Sequence, residues 1–174
     1  ENQTKHYKIT PYSFNPRLGK NIALNFILIW GKVFYSYCIL FKNRLTMENN
    51  IAIIPARMAS TRFPGKPLKM INGKPMIGHV YANVRACNFI KETYVATCDE
   101  EIAQYIKSIG GKYIMTSDKH QRASDRTAEA MLKAEQLLKT KLDIIVMVQG
   151  DEPMVTSHMI EKSLLPFKDK NINI

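Results

Sequence analysis

Three cations sit close together in the stretch Ile54–Leu68, IPARMASTRFPGKPL: Arg57, Arg62 and Lys66. A polyphosphate carries several negative charges. It binds where cations are held near one another and where backbone N–H groups can approach its oxygens. Ala56, Ala59, Ser60 and Gly65 keep this segment narrow enough for that approach, and Ser60 and Thr61 add hydroxyl donors. The order is neither a GxGxxG turn nor a Walker loop. Three basic residues in isolation would read as a solvated turn. Their compact order directly after an apolar run, IAIIP, favours a phosphate cradle.

The second segment is Val148-Gln149-Gly150-Asp151-Glu152-Pro153. A carboxylate at the tip of a buried strand suits a divalent cation that takes its remaining ligands from substrate phosphates, as magnesium does. Asp151 is the candidate ligand, and Gln149 is placed to read a base or a ribose. Gly150 permits a tight turn, and Glu152 is a cap or an ion-pair partner. A third segment, His120-Gln121-Arg122-Ala123-Ser124-Asp125-Arg126, precedes a helix. Ser124 or Asp125 either caps that helix or faces the base or ribose of a nucleotide. In a fourth, Thr97-Cys98-Asp99, the favoured role of Asp99 is to cap the helix that follows. His79, His158 and the scattered methionines take no role beyond core or surface.

These segments need a frame that brings them to one edge. Ile51–Pro55, Tyr94–Thr97, Tyr113–Met115 and Ile144–Val148 read as short buried strands. Between and after them, helical spacing covers Met76–Cys87, Glu100–Ile109, Thr127–Leu138 and Met159–Leu165, the last with Ser157 as its cap. Gly110-Gly111 ends the second helix. Alternating strands and helices predict a mostly parallel α/β sheet with helices on both faces. In such sheets ligands bind at the carboxyl ends of the strands, where the loops after Pro55, Thr97 and Val148 emerge.

Residues 1–46 differ from the remainder and show no clear periodicity. Their apolar run, Asn21–Phe41, is near the length that spans a bilayer. Lys32 near its middle and lysines at both ends oppose that reading. Met47 is taken as the natural start, with residues 1–46 as an atypical upstream extension; a membrane segment at 21–41 is the alternative. The net charge of +10 would suit a nucleic-acid binder. Residues 1–46 carry +6 of it, and residues 47–174 only +4. Phe63 is the one clear aromatic near the basic loop, so nucleic acid is not the expected partner. Cys38, Cys87 and Cys98 share no metal-site or disulfide spacing, which points to a reduced, cytoplasmic compartment. A nucleotide-binding module without catalysis is the competing class.

Taken together, IIPARMASTRFPGKPL, NGKPMIGHV (Asn72–Val80), VATCDEEIA (Val95–Ala103) and VQGDEPM (Val148–Met154) resemble the 3-deoxy-manno-octulosonate (Kdo) cytidylyltransferases, from Ile51 to about Ile160. Related sugar nucleotidyltransferases share the first motif; the ordered combination is the specific signal. The resemblance implies a Rossmann-like nucleotidyltransferase fold and transfer of CMP from CTP to Kdo for lipopolysaccharide synthesis, with Mg2+ as cofactor. Arg57 and Lys66 would hold the triphosphate, supported by Ser60 and Arg62. Gln149 would contact the cytidine and Asp151 the metal. CTP contacts are further expected from Ala56, Thr97, Asp99, Ser124, Asp125 and Arg126. The family's SGTER loop is replaced here by Arg122-Ala123-Ser124-Asp125-Arg126, so another acidic sugar is a second acceptor to weigh. The family's sugar-binding residues, a second metal-binding aspartate and much of its homodimer contact lie beyond Ile174. Residues 47–174 are therefore expected to be the CTP-binding portion of a truncated domain.

Overall fold

The structure, a computed structural model, describes residues 25–30, 36–41, 49–59 and 63–168. Two stretches rich in β-branched and aromatic residues, NFILIW and SYCILF, pair as antiparallel strands β1 (Asn25–Trp30) and β2 (Ser36–Phe41). Next comes β3 (Asn50–Pro55), buried along its whole length. A small hairpin, β4 (Met70–Ile71) and β5 (Lys74–Pro75), turns through Asn72-Gly73, both at positive φ. Such a turn matches the twist of the strands it joins. Helix α1 (Met76–Arg85) leads to β6 (Glu92–Thr97), then α2 (Glu100–Ser108) and β7 (Lys112–Met115). The described chain closes with α3 (Ala123–Leu138), β8 (Ile144–Met147) and α4 (Ser157–Leu164).

The strand order is β1-β2-β8-β3-β6-β7. β3 runs parallel to both neighbours, β6 and β8, and β7 is parallel to β6. Successive side chains of a strand point to opposite faces, and β3 shows why this sheet carries helices on both. Ala52 and Ile54 pack with Ile77, Val80 and Val84 of α1, Ile102 and Ile106 of α2, and Ile160 and Leu164 of α4. Ile51 and Ile53 pack on the other face with Ala130, Met131 and Ala134 of α3. Each fully buried isoleucine here is worth roughly 2 kcal/mol of burial.

Three elements differ from the sequence reading. No regular structure was expected before Ile51, yet β2 pairs antiparallel with β8, from Cys38 opposite Met147 to Phe41 opposite Ile144. An open strand edge offers unpaired N–H and C=O groups, and a β-prone stretch satisfies them. Among the described residues no helix is long and apolar enough to cross a membrane. α3 begins at Ala123 rather than Thr127, so Ser124 and Asp125 lie inside its first turn and neither caps it. The cap of α4 is Thr156 instead of Ser157: the Thr156 hydroxyl accepts the Met159 N–H at 3.3 Å.

Candidate functional site

Because β3, β6 and β8 are adjacent and parallel, their carboxyl ends open on the same edge of the sheet. A cleft of about 320 Å3 lies there. Pro55, Ala56 and Arg57 leave β3 to form one wall, and Gln149, Gly150 and Asp151 leave β8 to form another. Lys66 and Pro67, at the start of a short 3-10 turn (Lys66–Leu68), close a third side. His120 to Ala123 and Arg126 face them. The two strand tips approach closely at Gly150, where an added Cβ would lie 2.7 Å from the Pro55 carbonyl oxygen. Only glycine lets the β8 turn pass that near the β3 backbone.

Two opposite charges meet across the cleft. Lys66 Nζ donates to Asp151 Oδ2 at 2.7 Å, with both side chains partly open to water. Arg57 and Arg122 are exposed and line the same space. Next to Asp151, burial pushes the Glu152 carboxyl up; the Asp151 charge adds to that rise and Lys66 opposes it. Asp151 is thus the better placed of the two carboxylates to hold a cation, because Glu152 is not among the cleft's lining.

The basic loop is pinned at its base. The Met58 N–H donates to Asp99 Oδ2 at 2.8 Å, and the Met58 carbonyl accepts the Gly65 N–H at 3.0 Å. Asp99 stands at the N-terminal boundary of α2 but makes no side-chain cap there. Its carboxylate is spent on the loop, which corrects the capping role expected for it. Asp99 is held in turn by its own N–H, which donates to the buried Thr97 hydroxyl at 3.0 Å.

The facing wall is built around Glu129. Its Oε1 accepts Lys133 Nζ at 2.8 Å, and its Oε2 accepts the Ser117 N–H at 3.0 Å and bonds His120 Nε2 at 2.5 Å. Burial works against ionisation of this carboxyl, but Lys133, the Ser117 N–H and His120 together outweigh it and hold it down at about 2. Arg126 is buried, and its guanidinium donates to the Thr116 hydroxyl and to Cys98 Sγ.

Of the residues singled out from sequence, Ala56, Arg57, Lys66, Arg126, Gln149 and Asp151 line one cleft. Thr97, Asp99, Ser124 and Asp125 do not. Thr97 is fully buried and Asp99 turns to the loop backbone, while Ser124 and Asp125 are absorbed into the first turn of α3. Ser60 and Arg62 lie outside the described residues. In their place the first half of the same segment, His120, Gln121 and Arg122, reaches the cleft. The available signal was a histidine at a pre-helix loop with a carboxylate, Glu129, on the following helix.

A sheet edge that gathers cations opposite an acidic strand tip, on this mostly parallel α/β frame, defines a nucleotidyltransferase fold. Residues 51–173 match the cytidylyltransferase family profile, and the chain belongs to that family. It is 44% identical over 126 residues to a 3-deoxy-manno-octulosonate cytidylyltransferase of Thermodesulfovibrio yellowstonii, covering 71% of this chain and 49% of that one. With the enzyme of that name from Geobacter metallireducens it shares 46% identity over 115 residues, 66% of this chain and 43% of the other. A solved CMP:2-keto-3-deoxy-manno-octonic acid synthetase complexed with CTP superposes with a TM-score of 0.64 at 40% identity, over 71% of this chain and 48% of that one. The chain thus spans about half the length of the curated relatives it matches.

Proposed function

We propose that this chain is the CTP-binding part of an enzyme that transfers CMP from CTP to Kdo, releasing pyrophosphate. The observation that carries the proposal is the shared cleft, in which Arg57 and Lys66, from the loop after β3, converge with Asp151 at the tip of β8. The names of the relatives and the CTP complex of the solved synthetase support it. A cytoplasmic location, a part in lipopolysaccharide synthesis and a homodimer of the complete enzyme belong to the same proposal.

In this reading Arg57 and Lys66 bind the phosphates from a pinned loop, the guanidinium through its forked N–H donors and the ammonium as a point charge, and Gln149 contacts the cytidine. Among the described residues no group of three or more His, Cys, Asp or Glu side chains gathers to cage a metal. One accessible carboxylate facing a phosphate cradle fits Mg2+, which keeps its waters and takes phosphate oxygens beside one or two carboxylates. Asp151 would hold it, and the ion would supply charge neutralisation at the transferring phosphate. The anomeric hydroxyl of the sugar attacks the α-phosphorus and pyrophosphate leaves. The chain's own contribution is to orient the nucleotide and to offset developing negative charge with Arg57 and Lys66.

Calorimetric titration with CTP in the presence of Mg2+ tests the nucleotide half. Saturable binding that Arg57→Ala weakens is the expected result; pyrophosphate release on adding Kdo, measured on a chain extended to include the sugar-binding part, tests the transfer. A chain that binds no CTP at millimolar nucleotide has a different function.

A further inference from the structure

Between Asn49 and Lys91 the sequence holds seven lysines and arginines and no aspartate or glutamate. Arg57 and Lys66 line the cleft, but Lys69 and Lys74 do not. These two bracket the β4–β5 hairpin, and every residue from Lys69 to Lys74 is exposed. Among the described residues neither lysine pairs with a carboxylate. The apolar members of the turn are open to water, Met70 at 62% and Ile71 at 37%. Phe63, 49% exposed, stands beside them, with Lys69 Nζ 5.8 Å from the centre of its ring. One exposed apolar side chain is ordinary. Three set among cations, with no carboxylate between them, suit a partner that is both anionic and apolar. The turn is also held in shape. The Met76 N–H donates to the Lys69 carbonyl at 2.8 Å, and His79 Nε2 donates to the Ile71 carbonyl at 2.8 Å. Little is left to order on contact.

We propose that the β4–β5 hairpin docks the protein on an anionic lipid surface. Headgroup anions meet Lys69 and Lys74, while Met70, Ile71 and Phe63 enter the boundary between headgroups and acyl chains. A polynucleotide would pair with the lysines and leave the aliphatic side chains in water. A protein partner would need a groove shaped to the turn; a bilayer takes an exposed turn without one. This contact is peripheral and distinct from the membrane span weighed for residues 21–41. Lys66 of the cleft lies three residues before Lys69, so a docked chain works beside the lipid surface.

The test is sedimentation of the whole chain with vesicles of phosphatidylcholine alone and with phosphatidylglycerol as about a third of the lipid. Binding is expected only to the anionic vesicles, and it should weaken as salt rises. Lys69→Gln and Lys74→Gln should each cost roughly fivefold in partition. Met70→Ser combined with Ile71→Ser should cost at least about tenfold. Residues 21–41 are themselves apolar, so nitroxide-labelled lipid is used to locate the contact. It should broaden the amide resonances of Lys69 to Lys74 in the wild-type chain. Circular dichroism checks that each variant is folded. All four side chains lie outside the cleft, so CTP affinity should not change, and failure of this test leaves the CTP reading standing. Absence of binding to anionic vesicles overturns the proposal. So does binding that the substitutions leave unchanged, with broadening elsewhere in the chain. A chain that ignores vesicles but forms a dimer, lost in the Met70→Ser, Ile71→Ser variant, overturns it too and assigns the hairpin to a second copy.

Discussion

The Lys66 ammonium and the Asp151 carboxylate meet at 2.7 Å although 85 residues separate them in sequence. Both are exposed enough to water that the pair is worth no more than about 1 kcal/mol. It is thus easily opened by a ligand that offers phosphate to the lysine and a cation to the aspartate. Lys66→Ala should change stability by less than about 1 kcal/mol while lowering CTP affinity at least tenfold. Asp151→Asn should have a split effect. Without Mg2+, CTP should bind more tightly than in wild type, because Lys66 is no longer neutralised. With Mg2+, the gain in affinity from the metal should vanish. Titrations with and without the metal check this, and weaker metal-free binding in Asp151→Asn would count against the proposed opening of the pair.

Asp99 should affect nucleotide binding although it does not line the cleft. Its carboxylate holds Met58, and Met58 in turn accepts the Gly65 N–H, so one side chain fixes the base of the basic loop. A hydrogen bond to a charged group, with its donor left unpaired on truncation, is worth about 2 kcal/mol. Asp99→Ala should cost about that much in urea denaturation and weaken CTP binding as the loop loosens. Asp99→Asn retains an acceptor oxygen and should recover most of both. A full-affinity, full-stability Asp99→Ala would show that the loop holds its shape by other means.

The parallel strands and their helices were legible because each is a short apolar run closed by a proline, glycine or polar turn. What escaped was tertiary. The β1–β2 pair has no alternation to announce it, and the β8 edge that receives it lies far along the chain. Ser124 and Asp125 are typical capping residues, so local preference placed the start of α3 too late. Asp99 likewise fits a cap by type and position, but the competing Met58 N–H is visible only once β3 and β6 lie side by side. Arg57, Lys66, Gln149 and Asp151 were expected at one edge from sequence, and line one cleft, because loops at the ends of parallel strands share an edge. The pairing of His120 with Glu129 required the helix to be placed first.

Gly150 should be far less tolerant than its exposed counterparts. A Cβ there meets the Pro55 carbonyl at 2.7 Å, Ile77 Cδ1 at 3.3 Å and Ala56 Cβ at 3.4 Å. The nearest of these is backbone and cannot swing away, so the tips of β3 and β8 must part. Gly150→Ala is expected to cost about 1–3 kcal/mol and to displace Asp151 from Lys66, with a matching loss of CTP affinity. Gly73→Ala is the control. Nothing lies near its Cβ, but its φ of +77° strains an L residue, for about 1 kcal/mol. It should leave CTP binding unchanged. Equal effects of the two substitutions on binding would remove the close approach at Gly150 as a feature of the site.

Glu129 makes part of the protein's stability depend on acid. Its carboxyl is held at about 2 against an ordinary 4.5, because Lys133, the Ser117 N–H and His120 together outweigh the burial that would raise it. A folded value below the unfolded one means the charged form is favoured by folding. The contribution is then complete above about pH 4.5 and is lost as pH falls toward 2. With a quarter of the side chain exposed, solvent trims the full linkage value to about 2 kcal/mol. Urea denaturation of wild type and Glu129→Gln across this range should give a stability gap of about that size at neutral pH, narrowing steadily below pH 4.5. Glutamine is isosteric and cannot titrate, so the narrowing isolates the ionisation of Glu129 from the general acid sensitivity of the chain. A gap that stays constant down to pH 2 would mean that the three contacts hold the side chain by shape rather than by its charge.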